Sequence, residues 1–231
     1  MDELEPKDVL ETGLKTLFGP VNDLFLKLTG PAAEEYGLMW AESVRLRRTK
    51  RFVNGLAKTK RMVEGAGFDP RTIPEKLLLP IFEGMSTEDN EDLQTMWASL
   101  LANAASRENA EIVRPGFAAI LRQMAPDEAA LLKAIAQLTD EYRARLKSAK
   151  APSKVLLDRQ IGAQNALLLH RLTEGFASQD GETEAATQSR FQTCIQLLET
   201  SGLLDIRKDI PTLSTLGETF LEACRPPKPK A

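Results

Sequence analysis

The chain reads as an all-α protein, a multi-helix bundle with one long basic helix and a C-terminal winged-helix-like unit that carries a small two-stranded hairpin. Three observations predict this. Apolar residues recur at helical spacing along most of the 231 residues. Pro and Gly fall between these periodic stretches as starts and stops. Only near the C-terminal end do two short apolar runs, LLDI and IPTL, flank a polar turn, Arg207-Lys208-Asp209, in the manner of a hairpin.

Taken in order, Leu10, Leu14, Leu17, Phe18, Val21, Leu24, Phe25 and Leu28 share a helical face that is broken once at Gly19-Pro20, giving a helix, a kink and a second short helix. A long helix over 31–65 follows. Leu38, Ala41, Phe52, Leu56 and Val63 form its apolar stripe, and Arg47, Lys50, Arg51, Lys58 and Arg61 fall on the opposite face. Residues 65–74, GAGFDPRTIP, form a connector. Pro74 opens a short apolar helix interrupted at Pro80. Ser86 or Thr87 is expected to cap the next helix, with Glu88, Asp89, Glu91 and Asp92 beside its positive end and Trp97, Leu100, Leu101 and Ala104 as its buried stripe. Pro115 and Pro126 start two more helices. The second has Leu131, Leu132, Ile135 and Leu138 as its stripe and a polar, basic extension from Thr139 to Lys150.

The region from Ala151 to Phe176 is again helical, and SQDGET (178–183) is a polar loop. A helix from about Glu184 stops at Gly202 with a left-handed cap. Thr215-Leu216-Gly217-Glu218 has capping-box spacing and opens the last helix. The domain reading is an N-terminal helical segment (1–67), a central helical segment (68–125), a winged-helix-like C-terminal unit (126–224) and a disordered tail (225–231).

Composition narrows the function classes. A net charge of -3 argues against a protein that coats nucleic acid with its whole surface. Two cysteines 30 residues apart and one histidine cannot make a zinc site, and buried thiols are preferred to a disulfide. No secretion signal and no apolar run of spanning length is visible, so a cytoplasmic protein is expected. No catalytic motif, metal site or phosphate-binding loop emerges, and no cofactor is implied.

Four stretches carry a resemblance: GPAAEEYGLMWAESVRLRRTKR (30–51), DLQTMWASLLANAAS (92–106), VRPGFAAILRQMAPDEAALL (113–132) and the ending LLETSGLLDI…LSTLGETFLEAC. Together they resemble the Abi-alpha (abortive infection alpha) family of bacterial and prophage proteins. The resemblance implies an antiphage or prophage context. It supplies no catalytic residue.

The residues themselves offer few sites. His170, in LLLHRL, has no nucleophile or carboxylate at useful spacing and reads as structural. The acidic run Glu83–Asp92 lacks the alternating ligands and central glycine of a calcium loop. Trp97 reads as a core anchor. The candidate recognition helix of the winged-helix-like unit carries Gln188, Ser189, Gln192, Thr193 and Gln196, but only Arg190 supplies phosphate charge, with Arg207 and Lys208 on the wing. That leaves the basic face of the long helix. Between Arg45 and Arg61 there are eight basic residues and no acidic one. Arg47, Lys50, Arg51, Lys58 and Arg61 could follow a phosphate backbone, an acidic protein or an anionic membrane, or pair with the chain's own acidic segments.

The expected function is non-enzymatic macromolecule binding in an antiphage setting. The alternatives are a membrane-perturbing effector that touches the bilayer peripherally and a cryptic nuclease-type enzyme. If the segment before it leaves the apolar stripe of the long helix partly uncovered, the stripe should pair with a second copy, giving a homo-oligomer, a dimer.

Overall fold

A computed structural model describes residues 21–30, 46–148, 183–207 and 210–229. Within them the protein is helical, with eight helices and one antiparallel hairpin: α1 (Asn22–Thr29), α2 (Leu46–Ala66), α3 (Glu75–Thr87), α4 (Glu91–Ala105), α5 (Pro115–Gln123), α6 (Pro126–Ser148), α7 (Glu184–Thr200), β1 (Leu204–Arg207), β2 (Ile210–Leu213) and α8 (Thr215–Ala223). The all-α class with a small C-terminal hairpin is what the sequence predicts. The chain forms two compact units, one from 1–123 together with 222–231 and one from 124–221.

In the first unit, α2 packs on α3 and α4, so the connector after α2 turns the chain back onto the same core. Phe52, Leu56, Thr59, Val63 and Ala66 alternate at three and four residues along α2, and all five are buried. Phe82 of α3 stacks on Phe25 of α1 with ring centroids 6.0 Å apart, and it meets Phe52 of α2 edge-on at 4.9 Å. α1 is held further by the Ile73 N–H donating to the Leu28 carbonyl (3.1 Å) and by the Lys27–Asp69 ion pair (2.6 Å). The bond from Lys27 holds the Asp69 carboxyl below its ordinary range. The stripe of α2 from Phe52 to Ala66 is thus covered by the chain's own helices. The upstream half of the expected long helix, 31–45, lies outside the described residues, as does the segment before Val21.

Several helix boundaries differ from the sequence reading. Pro80 does not interrupt α3, which runs from Glu75 to Thr87 with Pro80 inside it. The proline forfeits one bond, to the carbonyl of Lys76, a solvent-exposed residue where water can replace it. The cap of α4 is Asn90, whose side chain accepts from the N–H groups of Asp92 and Leu93 (3.0 and 3.1 Å). Ser86 and Thr87 instead finish α3, their hydroxyls donating back to the carbonyls of Glu83 and Gly84. The tail is not free at its start. The Asn103 Nδ2 donates to the carbonyls of Ala223 (2.9 Å) and Arg225 (2.8 Å), and Pro227 is buried.

In the second unit, α7 and β2 pack on α6, with Leu131, Leu132 and Ile135 of α6 and Phe191 and Leu198 of α7 buried. Gly202, at φ 75°, ends α7 as the sequence predicts. Its N–H bonds the Glu199 carbonyl and that of Leu203 bonds Leu198, the paired closure of a Schellman motif. β1 and β2 pair from Leu204↔Leu213 to Arg207↔Ile210. The cap of α8 is Ser214, one residue before the expected Thr215, with its Oγ accepting from the Gly217 N–H at 2.9 Å. The helix expected over Ala151–Phe176, with His170, lies outside the described residues.

Both cysteines are buried thiols. Burial pushes the Cys194 thiol up to about 11, with the nearby Glu128 and Asp127 adding to the effect and Arg190 opposing it. Glu128 itself is only 8% exposed and accepts from the Ala125 N–H at 3.2 Å, capping α6. Burial pushes its carboxyl above the ordinary range, the Ala125 bond pulls it back, and the Asp127 charge adds to the rise. A raised folded-state value means that the folded protein holds this proton to higher pH than the unfolded chain. Stability contributed by the neutral form is therefore lost as pH rises through the folded value. Glu128→Gln keeps an acceptor without the charge. It is expected to stabilise the protein at pH 7 and to lose that advantage toward pH 4, measured as the difference in urea midpoints. A difference that does not change with pH would contradict this.

Candidate polyanion-binding surface

α2 carries seven basic residues and one acidic residue, Glu64, over Leu46–Ala66. Its cations divide into two groups, and packing decides which is which. At Gly55 the neighbouring helices come close: a side chain there would run into Met85 of α3, and the Gln94 Oε1 of α4 lies 3.1 Å from where its Cβ would sit. Residues about one turn to either side of Gly55 on this flank, Arg51 and Lys58, are thereby brought against the α3–α4 turn.

Arg51 donates through Nη1 to the Thr87 carbonyl at 3.1 Å and through Nη2 to Asp89 Oδ2 at 2.9 Å. The Lys58 Nζ donates to the Glu91 carbonyl at 3.2 Å, to Thr95 Oγ1 at 3.1 Å and to Glu91 Oε1 at 2.7 Å. The cations are the sheltered partners. The Arg51 and Lys58 side chains are 34% and 13% exposed, against 75% and 86% for those of Asp89 and Glu91.

The remaining described cations make fewer contacts with the packed helices. Arg48, Lys50 and Arg61 are exposed, and Lys50, Asn54, Ala57 and Arg61 lie along the side of the helix away from the buried stripe. The Arg61 Nε reaches back to the Ala57 carbonyl at 3.4 Å, and Lys60 makes a loose pair with Glu64 at 3.9 Å. The side chain of Arg47 lies outside the described ones. Of the five residues singled out from the sequence, Lys50 and Arg61 point to solvent, and Arg51 and Lys58 flank the packed side and bond the α3–α4 turn.

Sequence reasoning missed Asp89, Glu91 and Thr95 as partners of this helix. The signal that could have found two of them is Gly55, the one glycine between two cations seven residues apart, which marks where a neighbour approaches. In the second unit, Arg190 of α7 pairs with Asp127 at 2.7 Å, so the only basic residue of that helix is already engaged within the unit. Gln188, Ser189, Gln192, Thr193 and Gln196 are exposed. Among the described residues, no group of three or more His, Cys, Asp or Glu side chains could hold a metal ion, and no helix is long and apolar enough to cross a membrane.

The family model described as abortive infection alpha matches residues 44–224. No curated protein matches the chain, and no solved structure does. The matched span takes in α2 through α8, both the basic helix and the hairpin, and covers most of the 231 residues. The chain belongs to the abortive infection alpha family.

Proposed function

We propose that this protein is a non-enzymatic component of antiphage defence that acts in the cytoplasm by binding nucleic acid through the outward row of α2. Membership of the family ties the chain to abortive infection. The observation that carries the binding step is the exposure of Arg48, Lys50 and Arg61, the last two on the side away from the stripe, on a helix whose apolar residues from Phe52 to Ala66 are already buried. A helix that lies in a membrane interface needs a free apolar face to insert. Here the outward positions are Lys50, Asn54, Ala57 and Arg61, with no large apolar side chain among them, which favours a phosphate backbone over a bilayer. Lys50 and Arg61 are 11 residues apart, about 16 Å along the axis, enough to span successive phosphates.

The test is binding to duplex DNA, RNA and anionic liposomes across a salt series. Nucleic-acid binding that weakens steeply as salt rises is expected, because each neutralised phosphate releases a counterion. Arg48→Gln, Lys50→Gln and Arg61→Gln together should abolish it while costing under ~0.5 kcal/mol each in stability, since the residues are exposed. Binding to liposomes alone would replace this reading with a membrane one. Failure to bind any of the three at low salt, also after the carboxylates paired with α2 are neutralised, would end it.

A further inference from the structure

We propose that Asp89 and Glu91 act as built-in phosphate substitutes that hold two further cations of the same surface, Arg51 and Lys58, out of use until a nucleic-acid backbone displaces them. The proposal rests on the reading of α2 as a polyanion-binding helix and adds a regulatory contact to it.

The geometry separates what positions each cation from what neutralises it. Arg51 is fixed by the Thr87 carbonyl, and Lys58 by the Glu91 carbonyl and the Thr95 hydroxyl. These acceptors are uncharged and belong to the α3–α4 turn and the first turns of α4. The turn is itself braced. The Glu88 side chain accepts from the N–H groups of Asp89 and Asn90 (3.0 and 2.8 Å), and the Gln94 Nε2 donates to the carbonyls of Met85 and Glu88 (2.7 and 2.9 Å).

The charge partners are different in kind. The Asp89 and Glu91 carboxylates sit at the surface, and exposed ion pairs of this sort are weak and screened by salt. Swinging either carboxylate away therefore leaves its cation in place, held by neutral oxygens and short of one anionic ligand. A phosphate oxygen presents the same charge-assisted acceptor to a guanidinium or ammonium as a carboxylate does. Displacement exchanges one such bond for another and needs no change in the fold.

The test compares wild type with the pair Asp89→Asn and Glu91→Gln in binding a short labelled DNA duplex over a salt series. Removing both carboxylates is expected to tighten binding at least ~5-fold at low salt and to steepen the salt slope by about 2, one increment for each cation set free. A control pair, Glu75→Gln and Glu111→Gln, changes net charge equally at exposed glutamates elsewhere and should leave the slope unchanged. Adding Arg51→Gln to the unlocked pair should cancel about half of the gained slope, whereas in wild type it should change DNA affinity little. Circular dichroism and the urea midpoint report folding. Should the pair not fold, Asp89→Asn alone, at an exposed residue outside α4, carries the test with an expected slope change of about 1.

If wild type binds and the unlocked pair behaves like the control pair, the lock is overturned and the surface reading stands. If neither binds DNA at low salt, both fall. If only the unlocked pair binds, the lock is supported in its strongest form.

Discussion

Gly84→Ala is expected to destabilise the protein by about 3 kcal/mol, although alanine is the better helix former by about 1 kcal/mol. Gly84 lies in the last turn of α3, and a Cβ built there would overlap Cη2 and Cζ2 of Trp97 on α4. Trp97 is 1% exposed and sits in a helix in which twelve of fifteen residues are buried, so the ring has nowhere to withdraw. The clash atoms belong to the six-membered ring of the indole, which phenylalanine does not reproduce at that position. Trp97→Phe should therefore rescue part of the loss in the Gly84→Ala background.

Trp97→Phe alone leaves a cavity but also removes the indole N–H, which is buried without a hydrogen-bond partner. Urea melts of the two single variants and the double variant check the pair. The expected result is a double variant more stable than the sum of the singles predicts by 1 kcal/mol or more. Strict additivity would show that the two residues do not compete for one space.

Replacing Asn103 is expected to be comparably severe, with Asn103→Ala costing about 2–4 kcal/mol. This side chain is 1% exposed and fully used. Its amide nitrogen serves the carbonyls of Ala223 and Arg225, and its oxygen accepts from the Asn109 Nδ2 at 2.9 Å. Alanine would strand two carbonyls near the end of α8 and one amide in a site that water reaches poorly. Asn103→Asp should be worse, since a carboxylate would face the same two carbonyls with no hydrogen to offer. Urea denaturation of both variants gives the order. An Asn103→Ala protein within 0.5 kcal/mol of wild type, in order-of-magnitude terms, would show the clamp to be dispensable.

These two sites mark where sequence reading stops. Periodicity and punctuation gave the helices and the hairpin because helical spacing and turn chemistry are local properties. The glycine stop of α7 was legible for the same reason, as was Trp97 as a core residue. Caps were legible in kind and misplaced in position. Ser86, Thr87 and Thr215 each have a hydroxyl fit for capping, and only the backbone path decides that Asn90 and Ser214 take the role while Ser86 and Thr87 bond backwards. Pro80 was read as a break, yet one lost bond at an exposed turn is tolerated.

The candidate surface was less legible still. A helical wheel places Arg51 and Lys58 roughly 100–120° from the centre of the buried stripe, and periodicity cannot tell a flank from an outer face. The identity of their partners depends on which helix packs beside Gly55. Nothing local marks Asn103 out, because two of its partners, the carbonyls of Ala223 and Arg225, lie 120 and 122 positions away.

The Asn103 clamp also bears on the order of events during synthesis. Asn103 and Arg225 are separated by 122 positions, and the chain between them builds the entire second unit. At roughly 5–20 residues per second, the bulk of the first unit waits ~6–24 s for the strand of carbonyls that completes it. Over that interval Asn103 sits with its amide unmet, on a helix that is otherwise ready to pack. A nascent chain halted anywhere before residue 223 would present a nearly finished first unit with an open seam at Asn103, a defined target for a chaperone or a protease.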